Sequence, residues 1–298
     1  MRREEQLARL DQTYDVLVIG GGATGLGVAL DSASRGYATL LVEARDFAQG
    51  SSLRSTKGVH GGVRYLERGD IKLVYEALHE RGRLIRNAPH LVHELRFLVP
   101  TYHWWQLPYY GIGLKVYDIL AGRLGLSRST VVSASGAAGL IPTIEQDGLK
   151  GGVVYSDAQF NDTRLAMILA RTAAQHGATL VNHAPVRELR KDGGRVVGAV
   201  VEDAVSGERH EVRARAVVNA TGVFADEVRR MDDPGAKPMM APSQGVHLIL
   251  DRSFLPSDTG ILIPKTDDGR VIFIIPWQGH TLAGTTDTEL PAPVVEPT

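Results

Sequence analysis

The 298-residue chain contains no cysteine. That excludes disulfides, thiolate metal centres, iron–sulfur clusters and any cysteine nucleophile or redox relay, and it accords with a reducing compartment. Long apolar runs are missing too: nothing approaches the roughly 18–20 uninterrupted residues that cross a bilayer. The first residues, Met1-Arg2-Arg3-Glu4-Glu5, are charged where a secretory leader would be apolar, so no signal peptide is expected. Neither sign of charge is in excess, because 33 Lys and Arg face 34 Asp and Glu for a net charge of −1. That leaves no basic field for a phosphate backbone, and no nucleic acid is expected among the partners. Internal repeats and low-complexity tracts are absent as well. With 43% hydrophobic and 22% charged residues, the composition is that of a globular chain with one large or two ordinary domains.

What the chain does have is glycine, 33 residues of it, in informative places. Tyr14–Ile19 is a β-branched, nearly unbroken apolar run, the pattern of a strand buried on both faces in a parallel sheet. Gly20-Gly21-Gly22-Ala23-Thr24-Gly25 follows at once. A helix of small residues is expected from about Thr24 to Arg35, closed by Gly36, and then a strand over Ala38–Val42 ending in Glu43. This βαβ unit carries Gly20, Gly22 and Gly25 as G-x-G-x-x-G. One glycine makes the tight turn, one lets a pyrophosphate approach the backbone, and one allows close helix–strand contact. The helix opening at Ala23 and Thr24 offers free N–H groups and a positive end to phosphate. Glu43 is placed to accept the ribose hydroxyls, with Ala44 and Arg45 beside it. A plain βα turn is the alternative; the full strand–turn–helix–strand context favours a dinucleotide.

The second half bears on which dinucleotide. Short strands are expected at Thr179–Asn182, Arg187–Leu189, Arg195–Val201 and Arg209–Val212. A further strand at Ala216–Asn219 ends in Ala220-Thr221-Gly222. In flavoproteins of the glutathione-reductase-like type, such a turn after a meander packs near the first fingerprint, which favours FAD over NAD. Gln49–Tyr65 reads QGSSLRSTKGVHGGVRY. Ser51, Ser52, Ser55 and Thr56 offer hydroxyls, Lys57 and Arg64 fixed charge, and Gly61-Gly62 close backbone approach. The loop suits a phosphate-bearing cofactor or an anionic substrate, against the alternative of a solvated loop.

His60 and His247 are each candidates for a base or hydrogen-bond partner. His90 and His93 lack a third ligand and are read as surface or packing residues, so no metal is expected. Asp70 is expected to cap a helix that buries Ile71, Val74, Leu78 and Ile85. Asn161 or Asp162 should cap another, burying Leu165, Ile168, Leu169 and Ala173. A strand is expected at Arg96–Thr101. After Pro242, strands at Val246–Leu250, Gly260–Ile263, Val271–Ile275 and Thr281–Ala283 suggest a second, antiparallel domain. The aromatic run Tyr102–Tyr110 and the amphipathic stretch Ile112–Leu126 read either as an interfacial membrane anchor or as core.

Assembled, the segments VLVIGGGATGLGVALDSASRG, SSLRSTKGVHGGVRYLE, YEALHERGRLIRNAPHL, WWQLPYYGIGLKVYDILAG, VVNATGVFADEVRRMDD, PSQGVHLIL and GRVIFIIPW…LAGTTDT resemble the FAD-dependent glycerol-3-phosphate dehydrogenase family, above all its mitochondrial type. HGGVRYLE and WWQLPYY are far more specific than the glycine fingerprint. The resemblance implies an α/β fold. Its Rossmann-like FAD-binding domain is of the glutathione-reductase-like, D-amino-acid-oxidase-like subtype, over 12–95 and 150–232. A second, antiparallel-sheet substrate domain covers 96–149 and 233–298.

It further implies oxidation of sn-glycerol 3-phosphate at C2 to dihydroxyacetone phosphate, non-covalent FAD, and electrons passed to ubiquinone or another membrane quinone. An oxygen-using oxidase and a non-catalytic flavin-binding fragment are the alternatives. The location implied is peripheral, on the mitochondrial inner membrane or the bacterial cytoplasmic membrane, and a homodimer is carried as an assembly. The family's G-x-R-P-L and G-G-K-x-T-T-Y segments are not found, so a chain incomplete at its C-terminal side is expected. Within the site, Arg64 is expected to hold the substrate phosphate, with Lys57 and Tyr65 beside it. His247 is expected to serve as the base or its orienter.

Overall fold

The computed structural model describes residues 2–266 and 268–296. Two compact units divide the chain. One comprises Met1–Ser55, Asp162–Ser243 and Glu289–Thr298, the other Thr56–Asn161 and Gln244–Thr288.

The first unit is built on a six-stranded sheet in the order Thr179–Val181, Thr39–Val42, Thr13–Ile19, Arg209–Asn219, Arg195–Glu202, Val186–Asp192. The first four strands run parallel and the last two return as an antiparallel meander. Leu17, Val18, Leu40 and Leu41 are fully buried, as the unbroken apolar runs require of strands covered on both faces. Helices Ala23–Ser34 and Asp162–Gln175 share a core with this sheet through Ala29, Ala33, Ala166, Ala170 and Ala173. Close approach of two helices selects those small side chains. Leu165, Ile168 and Leu169, expected at the core, are therefore only partly buried. Arg209–Val212 and Ala216–Asn219, expected as two strands, form one. Its first part pairs antiparallel with Arg195–Glu202 and the remainder parallel with Thr13–Ile19. The polar residues between do not interrupt it, because Val212 and Ala214 point inward while Arg213 and Arg215 point to solvent.

The second unit carries an eight-stranded sheet. Its main path runs His247–Asp251, His280–Gly284, Ile272–Trp277, Gly260–Ile263, Val92–Thr101, Gly151–Phe160, Gly58–Val59. Pairing is antiparallel except where Gly260–Ile263 meets Val92–Thr101. Strands Val92–Thr101 and Gly151–Phe160 pair along their whole length, from Val92 opposite Phe160 to Thr101 opposite Gly151. The unit boundaries differ from the expected domain boundaries in that residues 56–95 and 150–161 fall in the second unit, and 233–243 and 289–298 in the first.

Helix Ile71–Asn87 is capped by Asp70, whose carboxylate accepts from the Leu73 N–H, as expected. Its buried face is Val74, Leu78, Arg81 and Gly82. Ile71 is exposed and Ile85 only partly buried, because the face turns with the helical period onto Arg81.

Candidate functional site

In the first unit the chain leaves strand Thr13–Ile19 through Gly20, at φ +111°, and enters helix Ala23–Ser34 with Gly22 at its N-cap. A Cβ on Gly25 would stand 1.9 Å from the Gly20 carbonyl oxygen, and one on Gly20 would stand 2.4 Å from that of Ala220. Only glycine fits at either place. The turn Ala220-Thr221-Gly222 thus packs directly against the first fingerprint. The Ala220 N–H donates to the Ile19 carbonyl at 2.8 Å, and the Thr221 hydroxyl donates to Asn219 Oδ1 at 2.7 Å.

Glu43 ends its strand half-buried. Its carboxylate accepts from the Gly21 N–H at 2.6 Å and the Arg45 N–H at 2.8 Å. It fixes the glycine turn while keeping further lone pairs for hydroxyl donors. Ala44 is exposed, and the Arg45 guanidinium sits 5.5 Å from the centroid of Phe224. The Ser52 hydroxyl accepts from the Ala23 N–H at 2.9 Å, bringing the serine loop to the helix N-terminus. Ser51 is exposed in the short turn Ser51–Leu53. The Ser55 hydroxyl donates at 2.8 Å to buried Asp162, a structural engagement the sequence did not suggest. The backbone here fits a dinucleotide pyrophosphate: side chains are excluded from the turn, a helix N-terminus faces it, and a carboxylate stands at the next strand end.

The remaining candidates lie in the second unit. The Thr56 hydroxyl is 2.9 Å from His247 Nε2. Burial first, and then the nearby Lys57 charge, lower the His247 pKa below its ordinary value of 6.5. Lys57 Nζ lies 6.0 Å from the Trp277 ring centroid. Gly62, at φ +73°, caps helix Val63–Glu67, which carries Arg64 and Tyr65, both exposed. His60 is exposed and stacks on Phe273 at 6.5 Å. Nε2 of His93 pairs with Gln159 Oε1 at 3.2 Å.

Sequence reasoning missed the group that anchors the Gly61-Gly62 turn. Asp157 is buried, and its carboxylate accepts from the Gly61 N–H at 3.1 Å, Arg81 Nη1 at 2.8 Å and the Tyr117 hydroxyl at 2.9 Å. Burial and the Asp157 charge push the Tyr117 hydroxyl well above the usual tyrosine range. A Cβ on Gly61 would stand 2.3 Å from Leu78 and 2.4 Å from the Tyr117 hydroxyl. The available signal was a lone acid in the otherwise uncharged stretch GGVVYSDAQF, a strand buried except at Phe160.

The aromatic segment resolves by residue. On helix Gln106–Ala121, Leu114, Tyr117 and Ala121 are buried. Trp105, just before it, and Tyr109, Ile112, Val116 and Ile119 recur at helical spacing and are exposed, as is Trp104 at 80%. No helix among the described residues is long and apolar enough to cross a membrane.

The family model for FAD dependent oxidoreductases (DAO) matches residues 15–298. The human mitochondrial glycerol-3-phosphate dehydrogenase is 48% identical over 301 residues, spanning 96% of this chain and 41% of the human protein. The mitochondrial enzyme of that name from Arabidopsis thaliana is also 48% identical, with 96% of this chain and 48% of the relative covered. This chain therefore spans less than half the length of these relatives. The glycerol-3-phosphate dehydrogenase of Bacillus halodurans, solved in complex with FAD, superposes with a TM-score of 0.80 at 33% identity, over 99% of this chain and 52% of that one. The L-proline dehydrogenase of P. horikoshii, at 16% identity and a TM-score of 0.75, shares the fold.

Proposed function

The chain belongs to the FAD-dependent oxidoreductase family, and from that premise we propose that it serves the oxidation of sn-glycerol 3-phosphate to dihydroxyacetone phosphate, with a membrane quinone as electron acceptor. The match of nearly the whole chain to relatives named for that dehydrogenase carries the reading. The bound FAD would supply hydride acceptance from C2 of the substrate.

The protein's own residues would bind, orient and move the proton. Gly20, Gly22, Ala23, Thr24 and Gly25 would cradle the pyrophosphate by backbone N–H groups and helix potential. Glu43, Ala44 and Arg45 would meet the adenosine ribose. Ser51, Ser52, Ser55, Thr56, Gly61, Gly62, Ala220, Thr221 and Gly222 complete the assigned cofactor set. Arg64, with Lys57 and Tyr65, would hold the phosphate dianion, for which a guanidinium is suited by its permanent charge and planar fork. His247 would take the C2 hydroxyl proton at Nδ1, with Thr56 at Nε2 orienting the ring and the lowered pKa favouring its neutral form.

The exposed row Trp105, Tyr109, Ile112, Val116 and Ile119 supports peripheral attachment to an energy-transducing membrane, mitochondrial or bacterial. Anaerobic mixing of the FAD-loaded protein with glycerol 3-phosphate tests the reaction. Bleaching of the flavin's visible absorption is expected, with reoxidation by a soluble quinone faster than by oxygen. No bleaching would overturn the substrate assignment; rapid peroxide formation would identify an oxidase.

A further inference from the structure

A glycine stands opposite the candidate base. Strands His247–Asp251 and His280–Gly284 are antiparallel neighbours, and their register sets His247 directly across from Gly284. On its other side Gly284 is paired with Phe273 of strand Ile272–Trp277. Directly opposite residues share a face of the sheet. His247, the bare position 284 and Phe273 therefore form one row, which continues to His60, stacked on Phe273 at 6.5 Å. Glycine weakens a strand, and its use there marks a close approach to the backbone.

What approaches is the imidazole. A Cβ at position 284 would stand 2.7 Å from His247 Cδ2 and 3.1 Å from its Cγ, with the Val246 carbonyl oxygen 3.0 Å away. Carbon atoms in contact prefer about 3.5–4.0 Å, so a methyl group and the ring do not fit in their present places together. The Val246 carbonyl is strand backbone, whereas the ring turns about its own side-chain bonds, so the ring is the part that gives way. Turning it carries Nε2 off the Thr56 hydroxyl, which stands 2.9 Å away. The imidazole is thus held at two points: Nε2 meets Thr56, and the Cγ–Cδ2 side rests on Gly284. Nδ1 is bonded to Cγ on the side away from Cδ2, and it is the nitrogen this arrangement leaves for a substrate proton.

We propose that Gly284 is a positioning residue for His247. Its missing side chain lets the imidazole settle against the strand in the orientation that meets Thr56 through Nε2 and leaves Nδ1 for the substrate. The role in turnover rests on the reading of His247 as the base. Gly284 acts through the ring alone, so it governs the turnover step and not the phosphate contact assigned to Arg64.

Gly284→Ala, His247→Ala and the double variant, each loaded with FAD, test this. Gly284→Ala is expected to lower kcat for glycerol 3-phosphate by about 10²-fold, the scale of a small misplacement of a reacting group, with KM nearly unchanged. In the His247→Ala background the same methyl meets no ring and should lower kcat no further. In [15N]histidine-labelled protein, the ring nitrogen signals of His247 should move in Gly284→Ala as the Thr56 contact is lost. Unmoved His247 signals, or an equal fall in kcat in both backgrounds, would overturn the role. If Gly284→Ala does not fold, the melts decide: recovery of stability in the double variant supports the clash with the ring, and no recovery refutes it. Full kcat in His247→Ala would instead remove the base reading, and the histidine spectra would still decide whether Gly284 sets the ring.

Discussion

The hydroxyl of Thr56 stands 2.9 Å from Nε2 of His247, in surroundings that favour the neutral imidazole. Burial and then the Lys57 charge both disfavour the protonated ring, so its pKa lies below 6.5. A histidine base must be deprotonated to act. The acid limb of kcat/KM for glycerol 3-phosphate is therefore expected with its midpoint below pH 6.5. His247→Gln should reduce kcat by about 10²–10⁴-fold. Thr56→Val should shift the limb while leaving the protein folded. A limb at or above pH 6.5, or an active His247→Gln, would place the base elsewhere.

The fingerprint glycines are not equivalent. Gly22 has φ −79° and ψ −177°, open to any residue, and a Cβ there meets only the Ser52 hydroxyl, at 3.0 Å. Gly25 has no such room, because the obstacle 1.9 Å away is backbone. Gly25→Ala is expected to cost about 1–3 kcal/mol of stability and to lose FAD. Gly22→Ala should fold normally and weaken FAD alone, and Gly22→Val should abolish its retention. Urea melts of the apoprotein beside flavin titrations separate the two effects; equal stabilities would refute the distinction.

Arg81 and Asp157 are a buried ion pair at 2.8 Å, with side chains 1% and 2% exposed. Asp157→Asn leaves the guanidinium without a counter-charge and is expected to destabilise by about 3–5 kcal/mol. Tyr117→Phe removes one neutral donor and should cost about 1 kcal/mol. The Gly61 amide, seen in [15N]glycine-labelled protein, should move upfield in Asp157→Asn as its carboxylate acceptor is lost. An unmoved Gly61 resonance would show that Asp157 does not anchor that turn.

Acid should loosen the first unit through Asp203. Burial would raise this carboxyl, but hydrogen bonds from Arg3, the Val205 N–H and the Ser206 hydroxyl prevail and hold it at about 2, against an ordinary 3.8. A depressed folded pKa means that the contribution is complete above the unfolded value and disappears as pH falls from 3.8 towards 2. Arg3→Ala should lower Tm at neutral pH and flatten its decline across that window. Parallel Tm curves for the two proteins would refute the assignment.

The βαβ unit was legible because every signal for it is local: an apolar run, glycines and a terminal acid within one short stretch. Arg81 was not, because an arginine on a helix reads as a solvated residue, and its partner lies 76 positions away. A separation of 96 positions from Asp157 likewise hid the true company of Gly61. The loop is continuous in sequence with the first unit, yet its amide is fixed by a strand of the second. Ala166 and Ala170 were passed over for larger neighbours, since periodicity weighs hydrophobic bulk whereas two touching helices select its absence.

Arg64 follows a turn that Asp157 holds by the Gly61 amide, and it projects from helix Val63–Glu67 into solvent. An exposed guanidinium contributes little to folding, so changes at Arg64 should leave Tm unchanged, and any effect on the substrate reports binding. Arg64→Lys keeps the charge but loses the planar fork, and is expected to be damaging rather than conservative. Arg64→Ala should raise the KM, or the Kd read from flavin absorbance, for glycerol 3-phosphate by at least about tenfold, the scale of one charge-assisted hydrogen bond to phosphate. Plain glycerol offers no phosphate to lose, so its much weaker reaction should change little. The contrast between the two substrates decides the matter, since misfolding would harm both alike. Equal losses, or none, would make Arg64 a surface residue of the loop and put the phosphate elsewhere.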